Sequence, residues 1–414
     1  KVYDTSFTAD LTTVEEATEF LGRVAEGKNL PQFTSCCPAW VKYVEQFYPD
    51  YLSNLSSCRS PQQMFGSLAK QYLSEHEAAK REDIFVVSIM PCTAKKFEAK
   101  RPEFAVGGDA DVNAVLSTQE LINMIGEAGL RVADLPADSM DLPFGFKTGA
   151  GIIFGASGGV AEAVLRMAAA GENPGGPVPE FREVRGLQGV KEVAVTVGGK
   201  ELHLAVLSGL ANAKDVLEKL RAGEVSYDII EVMACRGGCI GGGGQPLPND
   251  MAAREDRRQI LYDCDAIQPL HNAADNPYVK ECYSGLLQKP NSAVAHKLLH
   301  TGYRSRRRIL GEEVELTETA QEKVPVSVCI GTNCYLKGSY DTLRTLINKA
   351  REAELAGKFE FKATFCFEKC KASPNVQVGD TVYGGITPDK IDEFFEDVVK
   401  PAAEGKPAKD RVEA

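Results

Sequence analysis

The 414-residue sequence has little that would suit a membrane protein, a nucleic-acid-binding protein or a secreted disulfide-bonded fold. No apolar run approaches the ~20 residues needed to span a bilayer, and we find no signal peptide. Basic residues are in the minority, with 47 Lys and Arg against 58 Asp and Glu, and the net charge of −11 argues against nucleic acid as a partner. We therefore expect a cytoplasmic protein that contacts neither membrane nor nucleic acid. Because the sequence begins at Lys1 without an initiator Met, we also expect a fragment of a longer chain.

Cysteine, by contrast, is abundant, with twelve residues. In a chain without a secretion signal, grouped cysteines indicate metal or redox sites instead of disulfides. Those that fall in short motifs are Cys36 and Cys37 in TSCCPAW, Cys92 in MPCTAKKFEA, Cys235 and Cys239 in EVMACRGGCIGGGGQP, Cys329 and Cys334 in a CxxxxC pair, and Cys366 and Cys370 in a CxxxC pair. The remaining three, Cys58, Cys264 and Cys282, stand alone and are predicted to be small buried hydrophobes.

The motif around Cys235 and Cys239 suggests a cluster site. The apolar run 227–234 predicts a short buried strand that ends at Cys235, and open α/β sheets place their chemistry where strands end. Four glycines, 241–244, follow Cys239 and would let backbone N–H groups approach a large anionic group. Two cysteines do not bind four irons, so further thiolates must come from elsewhere in the chain.

The N-terminal segment 12–26 predicts an amphipathic helix, opened by a capping box of Thr12 and Glu15. Glu16, Glu19 and Arg23 share one face of this helix because of their spacing. On spacing alone, that face is best interpreted as solvated.

In TSCCPAW, Pro38 suits a first helical turn and places Cys37 at the N-cap, where the helix dipole favours a thiolate. Adjacent cysteines do not easily place both sulfurs on one metal. We therefore expect one of Cys36 and Cys37 to be a ligand and the other to have a different role.

The run 84–89 predicts a buried strand that leads to Cys92. Lys95 follows closely, could donate to an anionic ligand, and is spaced as a neighbour of Glu98. Further on, the stretch 149–160 lacks the spacing of a dinucleotide fingerprint, so it is interpreted as close backbone packing against something bulky.

Three further segments complete the predicted organisation. Residues 304–325 are polar and predict a linker, and residues 401–414 a polar tail. Residues 326–400 predict a compact βαββα domain with four cysteines placed after strands. By count, four thiolates suit zinc or a [2Fe–2S] cluster equally, and a pair of disulfides ranks third.

The motifs TSCCPAW, MPCTAKKFE and EVMACRGGCIGGGGQP, in this order, resemble the three signature loops of the [FeFe]-hydrogenases. The resemblance covers about residues 1–303, including ILYDCDAIQP and HKLLHTGY near the end of that range. It implies an α/β domain with parallel and mixed sheets flanked by helices. It also implies the H-cluster, a [4Fe–4S] cube joined to a diiron unit that carries CO, cyanide and a bridging dithiolate amine. The family's catalytic domain normally starts before residue 1, so we expect the N-terminus to be truncated.

Matched residue by residue, this resemblance implies that Cys37, Cys92, Cys235 and Cys239 hold the cube, with Cys239 bridging to the diiron unit. Cys36 would pass protons to the bridging amine. The helix face described above then changes meaning, because Glu16, Glu19, Ser56 and Arg23 match the family's proton path from Cys36 to the surface.

Lys95 would donate a hydrogen bond to a cyanide. The other residues that the resemblance places around the cofactor are Met90, Pro91, Phe154, Met233, Gly242, Gly243 and Gln245.

The C-terminal segment is similar to thioredoxin-like [2Fe–2S] ferredoxins, which favours [2Fe–2S] over zinc at Cys329, Cys334, Cys366 and Cys370. Hydrogenases with this extra domain resemble the catalytic subunit of multimeric, NAD-linked, electron-bifurcating enzymes. The implied partners are H2, protons, ferredoxin, and flavin- or NAD-binding and ferredoxin-like subunits.

Three functional hypotheses follow. The first is an enzyme for reversible H2 oxidation, favoured by the three loops together with Cys36 and Lys95. The second is a non-catalytic H2 or redox sensor, or an iron–sulfur assembly protein, on the same scaffold. The third is a zinc-binding interaction protein.

Overall fold

The structure is a computed structural model that describes residues 1–77, 79–170, 178–197, 199–306, 323–364, 367 and 369–407. The chain divides into two compact units, Lys1–Leu310 and Gly311–Ala414. Over the described residues, no helix combines the length and apolar character needed to cross a membrane.

Helices and short strands build the first unit. Its helices are α1 (Thr5–Glu26), α2 (Pro38–Phe47), α3 (Pro61–His76), α4 (Ala94–Glu98), α5 (Thr118–Glu127), α6 (Gly149–Ile153), α7 (Gly159–Ala170), α8 (Leu210–Arg221), α9 (Met251–Ala266), α10 (Pro277–Ser284) and α11 (Ala293–Leu299). Its strands are β1 (Gln32–Phe33), β2 (Val87–Met90), β3 (Ala105–Val106), β4 (Asp109–Ala110), β5 (Ala114–Ser117), β6 (Val190–Val197), β7 (Lys200–Ser208) and β8 (Ile229–Met233).

Helix α1 begins seven residues before the predicted start. Asp4 is its N-cap and accepts a hydrogen bond from the backbone N–H of Ser6. The predicted capping box is therefore wrong: Thr12 lies inside the helix, where its hydroxyl donates to the carbonyl of Thr8. Because α1 packs against α3, α6 and α7, much of its polar surface is buried, including Glu16.

A four-stranded sheet in the order β1-β8-β7-β6 organises the first unit. Strand β8 runs parallel to both β1 and β7, and all five of its residues are buried, as the apolar run predicted. The carboxyl ends of parallel strands meet at one edge of a sheet. The loop after β1, with Cys36 and Cys37, therefore lies beside the loop after β8, with Cys235.

Strand β2 pairs in parallel with β5 and leads to Cys92. It spans Val87–Met90, so the predicted strand 84–89 is shifted. The prediction that it is buried holds on one face only, since Val87 and Ile89 are each 47% exposed.

The glycines before α7 do pack closely, as predicted, but against backbone and not against a bulky group. A Cβ at Gly158 would lie 1.9 Å from the carbonyl oxygen of Val184, and one at Gly159 would lie 1.8 Å from that of Ile153. Gly158 also has φ of +95°, which favours glycine.

The second unit is a small α/β fold. Its strands are β9 (Val324–Cys329), β10 (Phe359–Thr364), β11 (Asn375–Val378) and β12 (Thr381–Gly384), and its helices are α12 (Thr332–Leu336), α13 (Ser339–Glu352), α14 (Ile391–Phe394) and α15 (Lys400–Ala403). The sheet order is β10-β9-β11-β12, with β9 and β10 parallel and the other pairs antiparallel. The turn between β11 and β12 falls at Gly379 and Asp380. Of the predicted linker and tail, residues 307–322 and 408–414 lie outside the described residues.

Candidate metal centre

Four thiols from three separate loops come together in the first unit. Cys37 is the N-cap of α2, as predicted, Cys92 follows β2, and Cys235 and Cys239 follow β8. Burial raises the pKa of the Cys235 thiol, and the neighbouring Cys37 and Cys92 raise it further. Burial, Cys37 and Cys92 likewise raise the pKa of Cys239 far above its ordinary value. A group of thiols that disfavour one another's ionisation needs a cation to be stable as thiolates.

Glycines after Cys239 hold the loop of Cys92 against the loop of Cys235. A Cβ at Gly242 would lie 2.0 Å from the carbonyl oxygen of Pro91, and one at Gly244 would lie 2.9 Å from the backbone nitrogen of Cys92. The N–H of Gly244 also donates to the Pro91 carbonyl, at 3.1 Å. These two glycines therefore let two backbones meet, which differs from the expectation that the whole run approaches an anion.

The donor set fits an iron–sulfur cluster. Hydrogen bonding from the backbone of Ala234 partly offsets the effect of burial, which raises the pKa of Cys37. Backbone hydrogen bonding from Gly243 acts in the same way at Cys235. Soft thiolates that accept backbone hydrogen bonds are the usual ligands of [4Fe–4S] clusters.

Cys36 adjoins this set and lies in an apolar pocket. It packs with Ala9, Phe154, Val160 and Met233 and is 8% exposed. Burial raises the pKa of its thiol well above the ordinary value, and Glu16 adds to the shift. Cys36 thus lies near Cys37 and Cys239, among apolar side chains and beside the carboxyl group of Glu16.

The remaining predicted pocket residues divide into two groups. Met90 is buried and packs in the same apolar cluster as Cys92. Gln245 lies in the turn after the glycines, where its N–H donates to the carbonyl of Gly242, and Gly243 is exposed.

Lys95 is buried and forms two hydrogen bonds from its ammonium group. One goes to Glu98 at 3.0 Å, as the spacing predicted, and the other to the carbonyl oxygen of Cys36, also at 3.0 Å. Burial lowers the pKa of Lys95, but the charges of Glu98 and Cys92 outweigh it and the net shift is upward. Lys95 is therefore a fixed cation beside the thiols, and its ammonium has one further proton to donate.

Glu16 is fully buried, and it lies near the hydroxyl of Ser56 and the backbone of Ser35, which partly offset the effect of burial on its pKa. Burial, followed by repulsion from Glu19, raises the pKa of Glu16 to about 8. At neutral pH this group keeps a proton that it can pass on.

Glu19 is linked to Glu16 through Ser56, whose hydroxyl is a polar neighbour of both carboxyl groups. One of its oxygens accepts a hydrogen bond from Ser56 at 3.1 Å, and the other forms an ion pair with Arg23 at 2.6 Å. Arg23 is partly exposed, so the contacts from Ser56 to Glu19 and from Glu19 to Arg23 lead from the interior toward the surface.

In the second unit, Cys329 ends β9 and Cys334 lies in α12, and both are buried. Burial raises the pKa of Cys334, and its neighbour Cys329 contributes. Cys370 begins a short helical turn and is exposed, while Cys366 lies outside the described residues.

Of the three lone cysteines, Cys58 and Cys282 are buried, as predicted. Cys264 is only partly buried, because it lies on α9, a helix with few buried residues.

Sequence reasoning missed two buried carboxylates that the structure makes prominent. Glu231 lies inside β8 and accepts hydrogen bonds from Gly158 at 2.7 Å and Ala161 at 2.9 Å, which satisfies N–H groups at the start of α7. Glu15 accepts hydrogen bonds from Tyr283 and the backbone of Asn291. A charged residue within an otherwise apolar strand could have indicated the first; spacing gave no signal for the second.

Comparison with known families supports the resemblance seen in the motifs. The C-terminal domain of the iron-only hydrogenase large subunit matches residues 1–243. The chain belongs to this family. The iron hydrogenase small subunit matches residues 251–306, and the thioredoxin-like [2Fe-2S] ferredoxin family matches residues 315–399. The last match confirms the predicted second fold and favours [2Fe–2S] over zinc at its cysteines.

Individual relatives agree. The NADP-reducing hydrogenase subunit HndD of Solidesulfovibrio fructosivorans is 47% identical over 74% of this chain and 54% of its own length. Cytosolic iron-sulfur assembly component 3 of Bos taurus is 33% identical over 73% of this chain and 66% of its own length. The chain thus spans about half the length of the hydrogenase subunit that it matches.

Among solved structures, a variant of the [FeFe]-hydrogenase HydA1 from Chlamydomonas reinhardtii superposes with a TM-score of 0.66. The two are 39% identical, and the match covers 74% of this chain and 85% of that chain. The predicted α/β architecture of the hydrogenase domain is thereby confirmed.

Proposed function

We propose that this protein catalyses the reversible reaction H2 ⇌ 2H+ + 2e− as an [FeFe]-hydrogenase. The observation that carries the proposal is the position of Cys36. Its buried thiol lies beside Glu16, and the next residue, Cys37, belongs to the four-thiol group. A cluster that only stored electrons would need the four ligands alone. A thiol placed between the cluster site and a protonated carboxyl group is what proton transfer requires.

The four thiols of Cys37, Cys92, Cys235 and Cys239 would hold the cube of an H-cluster. When bound, this cofactor supplies an electrophilic metal and an adjacent base. Lys95 provides a positive charge and a hydrogen bond on one side of the site.

Apolar side chains exclude water from the region around Cys36. Phe154 and Met233 pack in the same apolar cluster as Cys36, and Met90 packs in a second cluster with Cys92. With water excluded, protons must leave through the side chains that the protein provides.

Those side chains are Glu16, Glu19, Ser56 and Arg23. The raised pKa of Glu16, about 8, suits a group that both accepts and releases protons near neutral pH. Arg23 holds Glu19 in position and marks the point where the series reaches solvent.

The domain assignments belong to the same proposal. Residues 1–303 form the H-cluster domain, 304–325 a linker, 326–400 a domain whose Cys329, Cys334, Cys366 and Cys370 hold a [2Fe–2S] cluster, and 401–414 a tail. Electrons would pass through this cluster to partner subunits in a cytoplasmic complex linked to ferredoxin and NAD. The similarity to a subunit of an NADP-reducing hydrogenase supports a pyridine-nucleotide acceptor.

The decisive experiment is an anaerobic assay of the purified protein after maturation in vitro. We expect H2 uptake with an oxidised dye and H2 evolution with a reduced one. Infrared bands of CO and cyanide should accompany the activity, and bands without turnover in either direction would contradict the proposal.

A second function is supported by the 33% identity to an iron-sulfur assembly component. In that case the same four thiols would hold a cluster without a diiron unit. Iron and sulfide would be present, but CO and cyanide bands would be absent after maturation.

A further inference from the structure

A buried histidine adjoins the proton path. His300 is 5% exposed and lies at the end of α11. Its two ring nitrogens have different partners: Nε2 lies 3.0 Å from a carboxylate oxygen of Glu15, and Nδ1 lies 2.8 Å from the hydroxyl of Ser57. Both nitrogens are therefore committed to groups within the protein.

The carboxylate of Glu15 acts as a hydrogen-bond acceptor. The hydroxyl of Tyr283 donates to it at 2.6 Å and the N–H of Asn291 at 2.8 Å, while its side chain is fully buried. A carboxylate that already accepts two hydrogen bonds needs a donor at its third contact. Nε2 of His300 consequently carries a proton, and Nδ1 is the nitrogen whose protonation can change.

Ser57 joins this nitrogen to Glu19. Its hydroxyl lies 3.1 Å from the carboxylate of Glu19, and its backbone N–H also donates to that carboxylate at 3.0 Å. A single hydroxyl proton cannot point to Glu19 and to Nδ1 at the same time. The contacts are thus satisfied in two ways, either with a protonated Glu19 and a neutral His300, or with an ionised Glu19 and a protonated His300.

We propose that His300 receives protons from Glu19 through Ser57 and stores them beside the proton path. This inference rests on the proposed function and adds a proton-storing residue to it. In the transfer, Glu19 gives its proton to the hydroxyl oxygen of Ser57 as the hydroxyl proton moves to Nδ1. One proton is transferred in total, Ser57 is unchanged, and the new positive charge lies beside the negative charge of Glu15.

Charged and titratable groups face His300 from several elements of the fold. From α1, Glu15 and Glu19 face it with negative charge. From α11, the exposed His296 packs against its ring in a tilted arrangement with centroids 4.1 Å apart. From the loop before α3, the guanidinium of Arg59 donates to the carbonyl of His300 at 2.9 Å. The thiol of Cys58 and the hydroxyl of Tyr283 are uncharged, since burial raises the pKa of each well above its ordinary value.

The kinetic test compares two histidines of α11 in the mature enzyme. His300→Gln keeps a polar side chain but cannot carry an additional proton, and we expect turnover to fall by about tenfold with its pH dependence altered. His296→Gln removes the neighbouring surface ring and should leave turnover and its pH dependence nearly unchanged. If the wild-type enzyme is active and the two variants have equal turnover and equal pH profiles, the inference is overturned.

Ser57→Ala distinguishes the link from general destabilisation. It removes the hydroxyl while the backbone N–H still donates to Glu19. We expect the loss seen in His300→Gln, and no additional loss in the double variant, because one path is cut once. Additive losses would show that the two residues act separately and would contradict the proposed transfer.

A spectroscopic test does not depend on H2 turnover. In protein labelled with 15N at its five histidines, the Nδ1 resonance of His300 should change its position when the pH is varied. Glu19→Gln should change the pH of that shift, and Ser57→Ala should remove the influence of Glu19. An unchanged Nδ1 resonance in all three proteins would refute proton sharing, whereas a shift without H2 activity would refute only the hydrogenase proposal.

Discussion

The ammonium nitrogen of Lys95 lies 3.0 Å from the carbonyl oxygen of Cys36. This bond joins α4, which follows β2, to the loop after β1. The same ammonium is neutralised by Glu98. Lys95 therefore fixes the position of the cysteine loop as well as the charge of the site.

Replacing this cation should unfold the region more readily. In Lys95→Met the carboxylate of Glu98 remains buried without its ion-pair partner, and we expect the free energy of unfolding to fall by about 3–5 kcal/mol. Urea denaturation under anaerobic conditions measures it. Lys96→Met, which removes a more exposed ion pair with Glu120, is the control and should cost under about 1 kcal/mol. Adding Glu98→Gln to Lys95→Met should restore part of the loss; no recovery would contradict this explanation.

Cys36→Ala should separate assembly from turnover. Cys36 lies outside the four-thiol group, so iron content and infrared bands should match those of wild type while H2 turnover falls at least ~100-fold, the usual scale for a lost proton-transfer group. Cys282→Ala, a buried cysteine in another apolar cluster, is the control for a lost thiol. Loss of iron in Cys36→Ala would instead identify Cys36 as a ligand.

The sequence predicted those parts of the site that depend on local pattern. The apolar run before Cys235 predicted β8, Pro38 placed Cys37 at an N-cap, and a three-residue spacing paired Lys95 with Glu98. Each follows from neighbours in sequence. The motifs also carried the family resemblance, which the comparisons confirm.

What the sequence did not predict depends on tertiary packing. The spacing of α1 suggested a solvated face, but packing against three other helices buries Glu16 and turns Glu15 toward Tyr283. No local pattern joins Ser57 to His300, which lies 243 residues away in sequence. The glycine run suggested an anion site, but the approach of Gly242 to Pro91 requires the folded loops.

Glu16 should make stability depend on pH in a defined window. Its pKa is raised from 4.5 to about 8. Below about pH 4.5 both folded and unfolded chains keep this proton, and the contribution to stability is complete. As pH rises toward about 8 the unfolded chain loses the proton first, so the free energy of unfolding falls.

Glu16→Gln remains neutral and should lack this decline. Relative to wild type, it should therefore gain stability between about pH 4.5 and about pH 8, by up to several kcal/mol, since one pKa unit corresponds to about 1.4 kcal/mol. Denaturation midpoints at a series of pH values measure the difference. Glu26→Gln, at the exposed end of the same helix, should run parallel to wild type, and a parallel curve for Glu16→Gln would refute the raised pKa.

Removing a proposed cysteine ligand from the second unit should remove its cluster but leave H2 oxidation with a dye nearly unchanged. Cys334 is buried beside Cys329, so Cys334→Ala removes one of the four proposed ligands. We expect the paramagnetic signal of a reduced [2Fe–2S] cluster to disappear while H2 oxidation with a dye changes less than about twofold. Tyr335→Ala, an exposed neighbour on α12, should keep both. Equal loss of signal and H2 oxidation would contradict a peripheral role in electron transfer.

Two adjacent glycines provide a matched test of loop packing at the four-thiol group. In Gly242→Ala the new methyl group would lie 2.0 Å from the carbonyl oxygen of Pro91, so the Cys92 loop must move away from Cys235 and Cys239. In Gly243→Ala the nearest atom is the hydroxyl of Thr93 at 3.5 Å, an ordinary contact. Overpacking costs about 1–3 kcal/mol, and here it also separates the metal ligands.

Gly242→Ala should therefore bind less iron at the first unit and show weaker CO and cyanide bands after maturation, while Gly243→Ala matches wild type. Iron analysis and infrared spectra of the two variants, made in parallel, give the comparison. If Gly243→Ala lost iron and Gly242→Ala did not, the exposed glycine would be the one that approaches the cofactor. The close packing of Gly242 on Pro91 would then be incidental to cluster binding.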